Sequence, residues 1–214
     1  MTAGGRELLR AAKASASAAQ PALCLPVGRP VAGLLRPVVT RPGETSPGDV
    51  AALTAWRNRF VESFLNEFEA TDERTERWLT ESVGPDDTRI LFMVDDAGWR
   101  TIGYVGLAFI DWETGYGEAD SVVRGEEAPR GLLTDALRTM WAWGRTALGL
   151  SRLGVRVRSD NSALRFYEKA GFRERHRVAL RREDLADGIR WVEDPSVTEA
   201  GPSLVHMELD EHAD

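Results

Sequence analysis

The chain of 214 residues is poor in cysteine, histidine and long apolar runs, and each shortage excludes a class of protein. Cys24 is the single cysteine, so an internal disulfide framework is excluded and a cysteine-based zinc site is not expected. With no histidine near it to activate the thiol, we interpret Cys24 as inert. No apolar run reaches the length of a membrane-spanning helix, and Lys13 interrupts the stretch where a signal peptide has its apolar core. These shortages favour a cytoplasmic protein without a membrane partner.

An excess of positive charge is also lacking, since the 34 Asp and Glu residues outnumber the 27 Lys and Arg residues. The formal net charge is −7 and the sequence pI is about 5.2, whereas a nucleic-acid-binding domain presents a basic face. We therefore expect no nucleic-acid partner. Of the three histidines, only His206 falls within a predicted core strand, while His176 lies at a strand entrance and His212 on the tail. A satisfied core imidazole is the simplest interpretation of His206.

The distribution of apolar residues predicts an arm followed by one folded domain. Residues 1–33 are rich in Ala, Ser, Gly and Pro without a sustained period. We expect them to form a flexible N-terminal arm, with at most one short helix around Glu7–Ala19, that buries little and is dispensable for stability. Residues 34–214 are long enough to form one compact domain with a sizeable core.

Strand and helix patterns follow one another through that domain. Ser46 is typical of a helix N-cap, and Pro47 suits the first helical position. The segment Ala97-Gly98-Trp99-Arg100 predicts a hairpin turn in which Gly98 takes a positive φ. The predicted strands are 34–40, 89–96, 101–111, 116–123, 153–159, 177–180 and 203–209, and the predicted helices are 46–65, 71–82, 132–148 and 160–172. This order predicts an α/β (α+β) sandwich with a mixed, mostly antiparallel central sheet flanked by helices.

A polar loop over residues 124–131 leads directly into the predicted helix 132–148. Free backbone N–H groups and the helix dipole make such a junction an anion site that suits a pyrophosphate. Gly131 removes a side chain where the backbone must approach the phosphates, and Thr134 can donate a hydroxyl. Taken alone, this pattern more often marks a tight turn.

A second pattern, NSALRFYEKAGF, ends the run from Leu153 to Phe172. Asn161 is placed to cap the short helix, and Gly171 supplies the left-handed residue that ends it. Tyr167 follows the apolar Phe166, and its phenol has a polar tip that needs a partner.

Together the two patterns resemble the GNAT superfamily of N-acetyltransferases. The acetyl-CoA motif of that family is a strand, a loop, a helix, a strand and an N-x-x-A-x-x-F/L-Y-x-x-x-G-F segment. In this chain the segment reads Asn161, Ala163 (one position early), Phe166, Tyr167, Gly171 and Phe172. The similarity covers most of residues 34–209. The family's loop usually runs Gln/Arg-x-x-Gly-x-Gly/Ala. With Gly131 at the first glycine, Ala128 takes the Gln/Arg position and Leu133 the last one.

The resemblance implies how acetyl-CoA, as co-substrate and without a metal, would bind. Strands 116–123 and 153–159 would splay apart, and the pantetheine arm would bond to backbone near Ser121–Val123. Tyr167 would protonate the departing thiolate. The cofactor-binding residues that the resemblance implies are Val122, Val123, Arg124, Arg130, Gly131, Leu132, Leu133, Thr134 and Asn161.

The attacking amine must lose a proton, and four carboxylates near the expected site are candidates for the base. Glu118 and Asp120 share one strand face. We favour Glu118, then Asp120, with Asp111 behind them, while Glu113 and His206 complete the candidates. For any one carboxylate, a solvated charge at a strand edge is the simpler interpretation.

These features predict an enzyme that moves an acetyl group from acetyl-CoA to a primary amine of a small molecule, such as an amino sugar or an antibiotic-like amine. Trp56-Arg57-Asn58 resembles a segment of family members that acetylate nucleotide-linked amino sugars or protein N-termini, so a protein N-terminal acetyltransferase is one alternative. The altered loop favours another, a GNAT-fold module that binds acyl-CoA without catalysis, and an unrelated α/β domain is the third. Residues 181–202 form a polar excursion in which a further short hairpin can form. This excursion and the first two helices would line the acceptor pocket, but they carry no readable code for the acceptor. A homodimer stays open.

Overall fold

The computed structural model describes residues 2–17, 23–198 and 201–210. The helices are α1 (Thr2–Ala14), α2 (Pro47–Arg59), α3 (Asp72–Arg77), α4 (Leu132–Leu148) and α5 (Leu164–Lys169). The strands are β1 (Leu25–Val27), β2 (Gly33–Pro37), β3 (Asn66–Phe68), β4 (Ile90–Asp96), β5 (Thr101–Asp111), β6 (Tyr116–Arg124), β7 (Arg152–Arg158), β8 (Phe172–Leu185), β9 (Gly188–Glu193) and β10 (Ser203–Leu209). A π-helical turn, Trp78–Val83, extends α3, and a short 3₁₀ turn, Val61–Ser63, follows α2.

The chain divides into two compact units, residues 1–54 with 72–153 and residues 55–71 with 154–214. In the first unit the strand order is β1-β2-β4-β5-β6, and each neighbouring pair is antiparallel. In the second unit the order is β7-β10-β8-β9-β3, again with antiparallel pairs. The fold is therefore the predicted mixture of helices with a mostly antiparallel sheet.

Helix α4 packs on the strands of the first unit and closes its core. It contacts β1, β2, β4 and β5, and β4 is buried along almost its whole length. The buried face begins with Leu132 and not with Leu133, which is only half-buried. The remaining buried residues of this face are Ala136, Leu137, Met140, Trp141, Gly144 and Leu148. This face has the helical spacing that the sequence predicts.

A buried ion network fixes the start of α2 on the sheet. The Arg36 guanidinium of β2 donates two hydrogen bonds to Asp49, at 2.7 and 2.8 Å, and a third to Asp95 at 2.7 Å. These hydrogen bonds and charges outweigh burial and raise the pKa of Arg36 above its ordinary value. Ser46 caps the helix, since its Oγ accepts a bond from the Asp49 amide at 3.4 Å. The Arg36–Asp49 ion pair is bidentate, a geometry that fixes the relative orientation of the two side chains.

The expectation of a flexible arm over residues 1–33 differs from the structure over residues 2–17 and 23–33, while the rest of that segment lies outside the described residues. Residues 2–14 form α1, which buries one stripe at helical spacing: Gly5, Leu9, Ala12 and, just beyond the helix, Ala16. The small residues of this stripe let the helix approach α4 closely, since a Cβ atom on Gly5 would lie 2.2 Å from the Leu148 carbonyl oxygen. The Lys13 ammonium is also buried and donates to the carbonyl oxygens of Val83 and Asp86. Close backbone packing replaces the large side chains whose absence suggested an arm.

Two further expectations about turns and strands are corrected. In the turn between β4 and β5 the positive φ falls on Trp99, at 63°, and not on Gly98. The predicted strand 177–180 is only the middle of β8, which spans 14 residues and pairs with β9 to form a long hairpin. This hairpin occupies much of the segment 181–202, for which the sequence predicts a polar excursion with room for a further short hairpin. Much of β8 is exposed, so its apolar periodicity is weak.

Candidate active site

Strand β6 carries both carboxylates that the sequence predicts as candidate bases. Glu118 and Asp120 lie opposite Ala108 and Gly106 of β5, two residues apart and so on one face of the strand. The Glu118 side chain is buried and accepts a hydrogen bond from the Tyr116 hydroxyl at 3.1 Å. Asp120 is half-buried and accepts a bond from the Ser121 hydroxyl at 2.9 Å. Glu118 is therefore the more sheltered of the two carboxylates.

A β-bulge interrupts β6 immediately after Asp120. The register passes from the pair Gly106–Asp120 to the pair Tyr104–Val123, so Ser121 and Val122 both lie opposite Val105. Ser121 adopts a left-handed conformation with φ of 54°. A bulge disrupts the local ladder and redirects the strand, and this one lies where the resemblance places the pantetheine arm.

The loop that follows β6 ends in an open helix start. Gly131 has φ of 86°, which favours glycine, and a Cβ atom there would meet no heavy atom within 4 Å. The Leu132 amide donates to the Pro129 carbonyl and the Asp135 amide to the Gly131 carbonyl. The amides of Leu133 and Thr134 lie between them in the first turn, where α-helical N–H groups have no intrahelical acceptor. Such a junction can bind a phosphate group through backbone amides.

Three hydrogen bonds hold this loop against β5 and the turn before it. The amides of Gly125 and Glu126 both donate to the Ile102 carbonyl, at 2.9 and 3.0 Å. The Arg100 guanidinium donates to the Glu127 carbonyl at 2.8 Å. Arg124 and Arg130 are exposed at the two ends of the loop, while Val123 and Leu132 are buried. The side chains of Val123 and Leu132 thus serve the core, and only their backbone groups can face a ligand.

In the second unit, Asn161 and Tyr167 lie on the turn and helix that follow β7. The Asn161 carbonyl oxygen Oδ1 accepts a bond from the Ala163 amide at 2.8 Å, and its Nδ2 donates to the Ser63 carbonyl at 3.3 Å. It caps this turn and not α5 itself, whose N-cap is Ala163, because the chain makes one more turn before the helix begins. Gly171 ends the segment at a positive φ of 103°, as the sequence predicts.

The Tyr167 ring is buried within an aromatic cluster. It packs edge-on against Phe166 at 5.1 Å and against Phe172 at 5.6 Å between ring centroids. Although Phe166 is the apolar residue of the two, it is half-exposed, and Tyr167 is the more buried side chain. The neighbouring rings fix the direction in which the phenol points.

A buried arginine that the sequence did not single out supports the Asn161 turn. Arg158, the last residue of β7, makes two hydrogen bonds to Asp160, at 3.0 and 2.8 Å, and one to Glu67 at 2.6 Å. Its guanidinium stacks on the Trp191 ring, 4.6 Å from the centroid. Burial opposes the charge of Arg158, but these carboxylates outweigh it and raise its pKa, and the bond from Arg158 lowers the pKa of Asp160. The sequence feature that could have indicated this network is Arg158 at the end of an apolar strand, with Asp160 two residues later.

Of the remaining candidate bases, Glu113 is exposed in the turn after β5, whereas Asp111 and His206 have structural roles. Asp111 caps the turn after β5, accepting bonds from the amides of Glu113 and Thr114 and from the Thr114 hydroxyl, and these bonds lower its pKa. His206 is not a buried core imidazole: it is half-exposed, stacks on His176 with ring centroids 4.1 Å apart, and is hydrogen-bonded to Glu193. Burial raises the pKa of the Cys24 thiol, which disfavours the nucleophilic thiolate.

The Trp56-Arg57-Asn58 segment also serves the fold. Trp56 is buried, and the Arg57 guanidinium lies over the rings of Phe64 and Phe68, at 3.9 and 4.5 Å from their centroids. The Asn58 amide exchanges two hydrogen bonds with the backbone of Ala70. These contacts explain why Trp, Arg and Asn occupy the three positions, without any contact to an amine substrate.

The structure therefore gathers the predicted residues into two groups. Within the first unit, β6, its bulge, the loop 125–131 and the start of α4 form one continuous stretch. Within the second unit, Asn161 and Tyr167 share the turn and helix after β7. Among the described residues, no group of three His, Cys, Asp or Glu side chains is arranged to hold a metal ion. No helix in the described ranges is long and apolar enough to cross a membrane.

Comparison with known proteins places these features in a family context. The family model described as an acetyltransferase (GNAT) domain matches residues 41–173. A spermidine N-acetyltransferase from Vibrio cholerae, solved with CoA and spermine, has a similar fold, with a TM-score of 0.61 and 19% identity over 82% of this chain and 93% of that one. A probable GNAT-family acetyltransferase from Chromobacterium violaceum gives a TM-score of 0.63 and 17% identity over 89% and 87% of the chains. No curated protein sequence matches the chain.

Proposed function

The chain belongs to the GNAT family of acetyltransferases, and from this premise we propose that it transfers the acetyl group of acetyl-CoA to the primary amine of a small molecule. The observation that supports this most directly is the helix start at Gly131. Its left-handed backbone and open surroundings leave room for a phosphate against the first-turn amides of α4. A pyrophosphate is the anionic part of CoA that such a site fits.

We assign the donor-binding residues along the stretch that runs from the bulge into α4. Backbone groups of Val122 and Val123 bind the pantetheine arm, and the amides from Gly131 to Thr134 bind the pyrophosphate. Arg124 and Arg130, exposed at the ends of the loop, add positive charge near the phosphates. Asn161 contacts the arm from its turn after β7. The departures from the family loop at Ala128 and Leu133 matter little here, because backbone amides carry the binding.

The reaction needs a base for the amine and an acid for the thiolate. The amine nitrogen attacks the thioester carbonyl as a carboxylate of β6 accepts its proton, and Glu118 is our first choice and Asp120 the second. The carbon–sulfur bond then breaks, and the Tyr167 hydroxyl gives its proton to the departing sulfur. The carboxylate releases its proton to solvent, and solvent returns one to Tyr167, so both groups are ready for the next turnover. The products are the acetylated amine and CoA, with no change of oxidation state.

The acceptor we propose is a small amine, and a panel can identify it. The purified chain is incubated with acetyl-CoA and with polyamines, amino sugars, aminoglycoside-type amines and short peptides, and free thiol release is followed. Polyamines belong in the panel because the similar Vibrio cholerae protein was solved with spermine. Mass spectrometry of the product then shows one added acetyl group on the acceptor.

The outcomes separate the proposal from its alternatives. Thiol release with a small amine supports it, and release only with peptides would favour a protein N-terminal acetyltransferase. Binding of acetyl-CoA without release over the whole panel would favour the non-catalytic module. An absence of acetyl-CoA binding by calorimetry would remove the donor from the proposal.

A further inference from the structure

The turn between β4 and β5 combines an exposed aromatic side chain with a strained backbone. Trp99 is 70% exposed, although a large apolar ring in water gains nothing from the fold. Its φ of 63° lies in the left-handed region, where a bulky residue is a genuine outlier. Residues held in such conformations cluster at ligand clamps and active sites.

The geometry of this turn asks for glycine at the position that Trp99 occupies. The Trp99 amide donates to the Asp96 carbonyl at 2.9 Å, and the Asp96 amide donates to the Arg100 carbonyl at 2.9 Å. This is a three-residue hairpin loop whose last residue is left-handed, a position that glycine normally fills. Gly98 stands one position too early, so folding alone does not explain the tryptophan.

The rest of the turn is rigid. The Asp96 carboxylate accepts bonds from the amides of Gly98 and Arg100, at 2.9 and 3.0 Å, and from the Arg100 guanidinium at 3.2 Å. The bonds from Arg100 and Gly98 lower the pKa of Asp96, so the carboxylate stays ionised at neutral pH. These contacts over-determine the backbone of the turn and so fix the position from which the Trp99 side chain extends.

The same turn touches the loop 125–131, which leads into the helix start to which we assign the pyrophosphate. Arg100, the neighbour of Trp99, donates from its guanidinium to the Glu127 carbonyl at 2.8 Å. Residues 125 and 126 bond to Ile102, two positions further along the chain from Arg100. In CoA the adenosine is attached directly to the pyrophosphate, so an adenine ring bound there lies next to this turn.

We propose that Trp99 is an adenine-stacking residue of the acyl-CoA site. Arg100 is then the positioning residue, because it joins the β4–β5 turn to the loop 125–131. The proposal rests on the proposed function, because it needs the loop 125–131 to bind CoA. An exposed aromatic ring suits adenine, because the flat π face of the base can stack on it. The exposed ring and the strained backbone then have one common purpose.

Trp99→Gly gives a test in which stability and binding move in opposite directions. Glycine relieves the left-handed strain, so the Tm should hold or rise, whereas a residue with a merely structural role would lower it. CoA should bind about fivefold to 150-fold more weakly, the range expected for one base–aromatic stack. Phosphopantetheine, which lacks the adenosine, should bind equally well to both proteins. Calorimetry measures all four dissociation constants.

Phe109→Gly is the matched control. Phe109 is also an exposed aromatic residue at a positive φ, 52°, but it lies near the far end of β5 from the turn. Its replacement should leave the CoA dissociation constant unchanged. Trp99→Phe should restore most of the affinity, since a smaller ring still stacks.

Four results would overturn the inference. Unchanged CoA binding by Trp99→Gly would do so while leaving the proposed function intact. Equal weakening of CoA and phosphopantetheine would mean that the variant disturbs the loop and not an adenine contact. A change of oligomeric state with unaltered CoA binding would make Trp99 an interface residue. Failure of the unmodified protein to bind CoA would remove both the inference and the donor assignment.

Discussion

Among single residues, Tyr167 combines tight packing with a polar group. Edge-on contacts with Phe166 and Phe172 hold its ring, so packing sets the position of the hydroxyl. A general acid needs this precision, because proton transfer requires hydrogen-bond reach to the departing atom. A phenylalanine at the same position would keep the ring contacts and lose only the hydroxyl.

We predict that Tyr167→Phe lowers turnover by about 10²–10⁴, the usual contribution of a general acid. The loss should appear in kcat and not in the KM for the amine, because the proton is delivered only as the thioester breaks. Steady-state kinetics and a thermal melt measure the two effects. An active and stable Tyr167→Phe enzyme would refute the assignment, and a collapsed Tm would instead make the hydroxyl a structural donor.

Gly131 and Gly149 flank α4 in the same left-handed conformation, with φ of 86° and 75°. A Cβ atom at either position would meet no heavy atom within 4 Å, so the two sites are matched in strain and in space. Only Gly131 adjoins the first-turn amides that we assign to the pyrophosphate. Comparing the two glycines therefore separates backbone strain from an effect on the ligand.

We predict that Gly131→Glu weakens acetyl-CoA binding at least tenfold, about 1.4 kcal/mol, because the carboxylate occupies the place of the phosphates. Gly149→Glu should cost comparable stability without that loss of affinity. Calorimetry with acetyl-CoA and thermal unfolding of both variants provide the comparison. Equal affinity in the two variants would exclude this helix start from the donor site.

At the scale of elements, α1 shows how a helix can pack without large side chains. Its buried stripe contains one large residue, Leu9, and otherwise glycine and alanine. Ion pairs of Arg6 and Arg10 with Asp87 lie beside it, and exposed pairs of this kind contribute little. Backbone proximity at Gly5 and the buried Lys13 contacts are therefore the main attachments of the helix.

The adjacent glycines of α1 should respond to alanine in opposite ways. Gly5→Ala places a Cβ atom 2.2 Å from the Leu148 carbonyl oxygen, and we expect it to cost about 1–3 kcal/mol, the range for overpacking. Gly4→Ala meets nothing within 4 Å, and we expect a gain of up to about 1 kcal/mol from helix propensity. Denaturant unfolding of both variants tests this. Similar effects at the two positions would mean that α1 does not pack on α4 in solution.

The sequence predicts most elements because their apolar patterns are strong. The bounds of β5, α4 and β10 match the predicted segments, since long buried faces repeat regularly there. The sequence places only a short helix in a flexible arm where the packed α1 lies, because small residues line that helix. It misses β1 and β3, which are only three residues long. Long-range contacts, and not local propensity, decide such segments.

The candidate site was predictable where a motif marks the backbone and not where side chains meet through the fold. Gly171 has the left-handed conformation expected of it, and Gly131 lies at the open helix start where the sequence places it. The Arg158 network was not foreseen, because its partner Glu67 lies 91 residues away in the chain. The sequence also does not predict the positive φ of Trp99, because the neighbouring Gly98 is the residue type that such a conformation favours.

For the whole molecule, buried charge makes stability depend on pH at the alkaline end. Burial lowers the pKa of Lys13 to about 8 from its ordinary 10.5, in spite of the nearby Asp86 that opposes the shift. Between these values the unfolded chain binds more protons than the folded one. The free energy of unfolding therefore gains a contribution from Lys13 as the pH rises from about 8 to 10.5.

We predict that Lys13→Met removes this contribution. The unmodified protein should gain stability relative to the variant as the pH rises through that window, although the variant loses the contacts to Val83 and Asp86 at every pH. Thermal melts of the two proteins at pH 7 and pH 10 give the comparison. A stability difference that is independent of pH would show that Lys13 keeps an ordinary pKa in the folded state.

The burial of Lys13 also limits which lysine amines of the protein can react with acyl donors. The chain has only two lysines, and the second, Lys169, is exposed at the end of α5. Thioesters and amine-directed labels react with free amines and leave guanidinium groups untouched. Its many arginines give the protein positive charge without nucleophilic nitrogen, so Lys169 is the one lysine side chain open to accidental acylation or to deliberate attachment of a probe.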